Sequence, residues 1–225
     1  MPCIAFIHTV PGLIARFDGL AEETLPGWDR FAILDESLLR NTIRDGSLSK
    51  TTTQRLAGYV FSAAEGGADA VVVTCSSLGD GVEMIRPISS VPLFRIDEGM
   101  AREAVRGGAR IGVLATLETT LAPTGRLLAQ IASAEAKRPR IVERLCAGAF
   151  DLLARGDRAG HDERVVRGYR ELASEVDVVG LAQASMMDAL SAAEISADAR
   201  VLSSPVPGMQ YVAAALAGAA GSNKA

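Results

Sequence analysis

Hydrophobic and polar positions along the chain alternate between two patterns. Short runs rich in Val, Ile and Leu, such as VVVT at 71–74, are separated by longer segments in which apolar residues recur with helical spacing. Near-continuous apolar strands are typical of parallel sheets covered on both faces, so the pattern predicts an α/β fold with crossover helices. Strands are predicted near residues 3–8, 30–35, 69–74, 91–96, 110–115, 140–145, 176–181 and 200–203.

Helices are predicted between these strands. The clearest segments are 51–66, 97–107, 119–136, 162–175 and 208–217. Two more helix starts are indicated by the S-x-x-[DE] pattern, which begins at Ser77 and again at Ser185.

An internal repeat runs through the chain. CIAFIHTVPGLIA resembles RIGVLATLETTLA, which pairs Thr9 with Thr116 at a spacing of 107 residues. ADAVVVTCSS resembles VDVVGLAQAS, and we align Cys75 with Ala184 at a spacing of 109 residues, the spacing that also separates two Gly-Met pairs at 99–100 and 208–209. Repeats in the same order at nearly one spacing indicate duplicated architecture.

The repeat predicts two pseudo-symmetric lobes, each a short, mostly parallel sheet flanked by helices. The first lobe is predicted to comprise 1–97 plus 206–225 and the second 98–205. Parallel sheets bind ligands beyond the carboxyl ends of their strands, so we expect an active-site cleft between the lobes.

Composition excludes several classes of function. A net charge of −4 without a basic block argues against nucleic acid, and no apolar run reaches the roughly 20 residues that span a bilayer. Three dispersed cysteines indicate reduced thiols and a cytoplasmic protein. Two histidines and no paired-cysteine spacing make a metal site unexpected.

Cys75 is the main candidate for chemistry. It follows a buried strand and precedes a predicted helix start, where unpaired amides would lower the thiol pKa from its free value of ~8.5. A thiol in that position is a candidate base, acid or nucleophile. The same amides, helped by nearby hydroxyls, would receive a substrate carboxylate; the hydroxyl residues are Thr9, Ser76, Ser77, Thr116, Thr119 and Ser185.

Other candidates have two interpretations. His8 ends the first strand and is either catalytic or a hydrogen-bonded structural histidine. Cys3 and Cys146 are expected to fill space, and residues 161–163 to form a solvated first turn of a helix. Asp97 and Glu98 are expected to cap a helix, and the candidates for binding a second carboxylate are Arg16, Arg86 and Arg95.

These elements together resemble the aspartate/glutamate racemase superfamily, which includes hydantoin racemases, maleate isomerases and arylmalonate decarboxylases. The resemblance is carried by ADAVVVTCSS, RIGVLATLETT, VDVVGLAQAS and LSSPVPGMQYVAAA. It implies two pseudo-symmetric lobes, no cofactor and no metal, and chemistry at the carbon next to the carboxylate of a small acid. It also implies a homo-oligomer, a dimer or larger.

The resemblance implies two cysteines, one for each face of the substrate, of which this chain has Cys75. With Ala184 aligned to the second cysteine, two-thiol racemisation is in doubt, and His8 or a water are alternatives for the second proton-transfer group. The main hypothesis is a cofactor-independent isomerase that uses Cys75. A decarboxylase working with one thiol, and a carboxylate-binding protein that has lost the reaction, remain open.

Overall fold

The computed structural model describes residues 1–193, 195 and 199–222. The chain forms two compact units, one of Met1–Gly99 with the segment that starts at Pro205, the other of Met100–Ser204. Each unit contains one four-stranded sheet, and every strand pairing in the described residues is parallel. The prediction of an α/β fold with two lobes is therefore confirmed.

The strands of the first unit are β1 (Cys3–His8), β2 (Asp29–Leu34), β3 (Ala70–Val73) and β4 (Leu93–Arg95), in the sheet order β2-β1-β3-β4. The strands of the second unit are β5 (Arg110–Ala115), β6 (Arg140–Leu145), β7 (Val178–Leu181) and β8 (Arg200–Ser203), in the order β6-β5-β7-β8. The strand order is the same in both sheets, as the internal repeat predicts.

Ten α-helices are found in the described residues. They are α1 (Ile14–Thr24), α2 (Glu36–Asp45), α3 (Lys50–Glu65), α4 (Gly79–Ile85), α5 (Glu98–Gly107), α6 (Glu118–Ala134), α7 (Ala149–Ala154), α8 (Arg158–Ala173), α9 (Ser185–Ala192) and α10 (Pro205–Ser222).

Each sheet is covered on both faces, because successive side chains of a strand point to opposite sides. In β1, Ala5 and Ile7 pack with α3, while Ile4 and Phe6 pack with α1 and α10. In β5, Val113 joins one cluster with α6, and the neighbouring residue Leu114 joins another with α8 and α9. Burial on both faces explains why the inner strands are almost continuously apolar.

The strand predictions agree with the structure to within about two residues at each end. The helices α1, α2 and α7 were not singled out from the sequence. Helix α2 shows why it forms: the Asp35 carboxylate accepts a hydrogen bond from the Ser37 amide at its start, and Gly46 ends it in a left-handed conformation.

Two glycines allow close backbone approach in the first unit. A Cβ atom on Gly99, in the first turn of α5, would lie 2.0 Å from the Pro207 carbonyl oxygen. A Cβ atom on Gly208, in the first turn of α10, would lie 2.1 Å from the Ile96 carbonyl oxygen. The starts of α5 and α10 therefore approach each other at two positions where only glycine fits.

Candidate active site

Cys75 lies at the carboxyl end of the sheet in the first unit. It follows β3 in an extended conformation and precedes a 3-10 turn, Ser76–Leu78, that leads into α4. Its side chain is partly exposed, whereas Ser76 and Ser77 are buried. The sulfur is therefore the accessible reactive group of this turn.

Several donors converge on the Cys75 sulfur. The Thr9 hydroxyl, the Ser77 and Leu78 amides and the Ser77 hydroxyl all hydrogen-bond to it. Burial nevertheless raises the pKa of the Cys75 thiol above its ordinary value, and these hydrogen bonds only oppose that rise. The predicted lowering of the pKa is therefore wrong, because loss of hydration outweighs the local donors.

The capping prediction for this turn is also wrong. Ser77 lies inside the 3-10 turn, and neither the turn nor α4 has a side-chain cap. Ser185 is the first residue of α9, which likewise lacks a side-chain cap. Helices do begin close to both serines. The amides of Ser77 and Leu78, expected to receive a carboxylate, hydrogen-bond to the sulfur.

His8 is a buried neighbour of this turn. Its Nδ1 atom lies 2.8 Å from Thr74 Oγ1, and that hydroxyl donates its one proton to the Ile7 carbonyl oxygen. Nδ1 must therefore carry the hydrogen, which leaves a lone pair on Nε2. Burial lowers the pKa of His8 to about 4, so the ring is neutral at pH 7. A catalytic role for His8 stays a prediction; its observed contact holds Thr74, which the sequence analysis missed.

A buried ion pair lies against the same turn. Arg95 donates to both carboxylate oxygens of Asp97 at 2.8 and 2.9 Å, and both side chains are buried. The guanidinium occupies the space beside Gly79, where a Cβ atom would lie 2.3 Å from Nη2. Arg95 thus supports the first residue of α4, and its charge is compensated by Asp97.

Arg86, another candidate for a second carboxylate, is engaged within the protein. It donates to the carboxylates of Glu83 and Glu98 and to the Leu93 carbonyl oxygen. Glu98 also accepts from the Tyr211 hydroxyl. These contacts tie α4 to α5 and α10, which is a structural role.

The strand registers correct the alignment of the two repeats. Ala70 of β3 pairs with Ile4, and Val178 of β7 pairs with Ile111. Directly after these strands, the Thr74 amide donates to the Ile7 carbonyl oxygen, and the Ala182 amide donates to that of Leu114. Thr74 therefore corresponds to Ala182.

The residue that corresponds to Cys75 is consequently Gln183, and the alignment with Ala184 is wrong by one position. The spacing between repeats is 107 residues for β1 and β5, between Ile4 and Ile111, and 108 for β3 and β7, between Ala70 and Val178. Because connecting loops differ in length, one constant spacing of 109 misplaced this residue.

Gln183 is held by a two-point contact in the second unit. Its Oε1 atom accepts from the Thr116 amide, and its Nε2 atom donates to the Thr116 hydroxyl, both at 2.7 Å. Thr116 is buried, while Gln183, Ala184 and Ser185 are partly exposed. Thr9 contacts Cys75, and Thr116, its counterpart in the repeat, contacts Gln183.

The remaining candidates are accounted for by packing. His161 is fully buried, with Nδ1 2.6 Å from an Asp162 oxygen, so the expectation of a solvated turn is wrong. The helix begins earlier than predicted, at Arg158, which turns His161 inwards. Cys146 is buried in the core, and burial raises the pKa of its thiol to about 11, in line with a space-filling role.

Two searches of the described residues found no further site. Over residues 1–193, 195 and 199–222, no group of three His, Cys, Asp or Glu side chains could hold a metal ion. None of the helices in the same ranges combines the length and hydrophobicity required to cross a membrane.

Solved structures resemble this chain in fold. Glutamate racemase isoform RacE1 from Bacillus anthracis superimposes with a TM-score of 0.71 at 16% identity, covering 96% of this chain and 81% of that one. A putative Asp/Glu racemase from Yersinia pestis gives 0.70 at 14% identity, covering 96% and 99%. Allantoin racemase from Klebsiella pneumoniae gives 0.63 at 16% identity, covering 96% and 88%.

A more distant fold relative is a glycine-to-cysteine mutant of arylmalonate decarboxylase, with a TM-score of 0.58 at 20% identity, covering 96% of this chain and 94% of that one. No curated protein sequence matches the chain. The profile of one family, described as Asp/Glu/Hydantoin racemase, matches residues 15–218. With a match over most of its length and the two-unit fold of the racemases, the chain belongs to the Asp/Glu/Hydantoin racemase family.

Proposed function

We propose that this chain is a cofactor-independent enzyme in which Cys75 transfers a proton at the carbon next to the carboxylate of a small acid. The observation that carries the proposal is the Cys75 turn: a partly exposed thiol at the carboxyl end of a parallel sheet, surrounded by hydrogen-bond donors. Membership of a racemase family supports this type of reaction.

The proposed step conserves atoms and charge. The Cys75 thiolate takes the proton from the α-carbon, and the bonding electron pair moves into the carboxylate to form an enediolate. Hydrogen-bond donors around the carboxylate stabilise the developing charge. The thiol then returns a proton to the carbon, and the thiolate is restored. The donors to the sulfur, among them Thr9 and the Ser77 amide, stabilise that thiolate within the cycle.

Exchange of the α-proton with deuterated water tests the proposal. Both enantiomers of glutamate, aspartate and allantoin would be followed by proton NMR with wild type, Cys75→Ser and Cys146→Ser. We expect Cys75→Ser to lower exchange by about 10²-fold to 10⁴-fold, the usual effect of removing an acid–base group. Cys146→Ser controls for loss of a thiol elsewhere. Equal exchange in wild type and Cys75→Ser would refute the role of Cys75.

Decarboxylation is the second candidate, and two observations favour it. The raised pKa of Cys75 keeps the thiol protonated at neutral pH, ready to protonate an enediolate left by loss of carbon dioxide. The equivalent position in the second unit is Gln183, so the repeat supplies one thiol. Carbon dioxide release from a disubstituted arylmalonate, with one enantiomer as product, would establish this activity.

The two candidates share the role of Cys75 and differ in the bond that breaks. Absence of carbon dioxide from a panel of malonates would exclude the decarboxylase. Calorimetric binding of dicarboxylates with neither exchange nor decarboxylation would instead identify a carboxylate-binding protein.

A further inference from the structure

The two units place a different kind of group at the same point of the sheet. Cys75 is the second residue after β3 and Gln183 the second residue after β7, as the strand registers establish. Both side chains contact the threonine that follows the first strand of their sheet, Thr9 in one unit and Thr116 in the other. Gln183 therefore takes the position of a second thiol.

The hydrogen bonds of Gln183 determine what it can offer a ligand. Oε1 is used by the Thr116 amide, and one of the two Nε2 hydrogens is used by the Thr116 hydroxyl. The second Nε2 hydrogen and the hydroxyl hydrogen of Thr116 are the remaining donors of the pair. Three residues further on, the Thr119 hydroxyl is buried and has no partner among the described residues. This part of the second unit is rich in donors for an anionic oxygen.

An amide cannot act as the second acid–base group. It neither gains nor loses a proton in the physiological pH range, unlike a thiol. Inversion at carbon requires one group to remove the proton and a different group to deliver one to the other face. A chain with Cys75 and Gln183 at the two equivalent positions has one group able to do so.

We infer that Gln183 is a specificity-determining residue that restricts proton transfer to Cys75, binds an anionic oxygen of the substrate, and makes the reaction stereospecific. The inference rests on the proposed function and defines its outcome: the α-proton leaves to Cys75 and returns from Cys75 to the same face. The substrate exchanges its α-proton with solvent but keeps its configuration.

The test compares two neighbouring cysteine substitutions. Gln183→Cys places a thiol at the position equivalent to Cys75, and Ala184→Cys places one a single residue further, at the start of α9. Each would be examined with the enantiomers of glutamate, aspartate and allantoin, by NMR for exchange and by circular dichroism for loss of optical activity. Far-ultraviolet circular dichroism confirms that both variants fold.

We expect wild type to exchange without racemising, and Gln183→Cys to racemise at least about tenfold faster than wild type or Ala184→Cys, since one acid–base group contributes at least 10²-fold. Adding Cys75→Ser should abolish the gain. Racemisation by wild type, or a Gln183→Cys variant that exchanges but never inverts, would overturn the inference. Equal exchange in wild type and Cys75→Ser would instead refute the proposed function, so the two failures are distinguishable.

Discussion

The buried ion pair of Arg95 and Asp97 provides a direct test of how the Cys75 turn is supported. Both side chains are buried, and two hydrogen bonds of 2.8 and 2.9 Å join them. Replacement of Asp97 by Asn preserves the shape of the side chain but removes the charge and presents an amide to a guanidinium that needs acceptors. Removing one partner of a buried pair typically costs 3–5 kcal/mol.

We expect the lower end of that range, ~3 kcal/mol, for Asp97→Asn. The carboxylates of Glu83 and Asp80 also act on Arg95, with Glu83 Oε1 3.8 Å from Nη1, and they compensate part of the charge that remains. With a urea dependence of 1–3 kcal/mol per molar, the loss lowers the unfolding midpoint by about 1–3 M.

The fluorescence of Trp28 is a suitable assay. It is the one tryptophan of the chain, and it packs against the core of the first unit, so its signal reports unfolding of the unit that contains the ion pair. Asp45→Asn is the matched control, because Asp45 forms its ion pair with Arg44 on the surface of the same unit. We expect no measurable change for that control.

The double variant Arg95→Met with Asp97→Leu completes the cycle. Removing both charges eliminates the uncompensated group, so the double variant should be more stable than Asp97→Asn. A loss for Asp97→Asn no larger than for Asp45→Asn would refute the reasoning. So would a double variant less stable than the single one.

Three further predictions follow from the same unit. Because burial lowers the pKa of His8 to about 4, the unfolded chain binds more protons between pH 6.5 and 4; stability should fall by at most ~3 kcal/mol as pH decreases through that window, and His8→Gln, measured by urea unfolding, should show a smaller fall. In a Cys3→Ser, Cys146→Ser background, alkylation of Cys75 should reach half its maximal rate above pH 9, since burial raises the pKa of this thiol; a midpoint below pH 8 would contradict the burial argument. Gly208→Ala should destabilise the first unit by at least about 1–3 kcal/mol, because its Cβ meets the Ile96 carbonyl oxygen, whereas Gly12→Ala, with nothing within 4 Å of its Cβ, should not; similar thermal midpoints for the two variants would exclude this explanation.

Local patterns of sequence were sufficient for the fold. The eight strands were located because buried parallel strands must be apolar on both faces, and the order of strands and helices then leaves few topologies. The repeat was visible for the same reason, since two sheets of one topology need similar runs of residues. Cys75 was identified because a cysteine at the carboxyl end of such a strand lies where ligands bind.

The sequence alone determined the α/β class, the two-unit organisation, the family resemblance and the position of Cys75. Tertiary structure decided the ionisation of that thiol, because desolvation depends on every atom packed around the sulfur and not on its neighbours in the chain. It also decided that Gln183 is the counterpart of Cys75, since hydrogen bonds between strands define a register that loop lengths conceal. Arg95 likewise reads as a surface cation until folding places it against Gly79 and Asp97, where its charge is buried and paired.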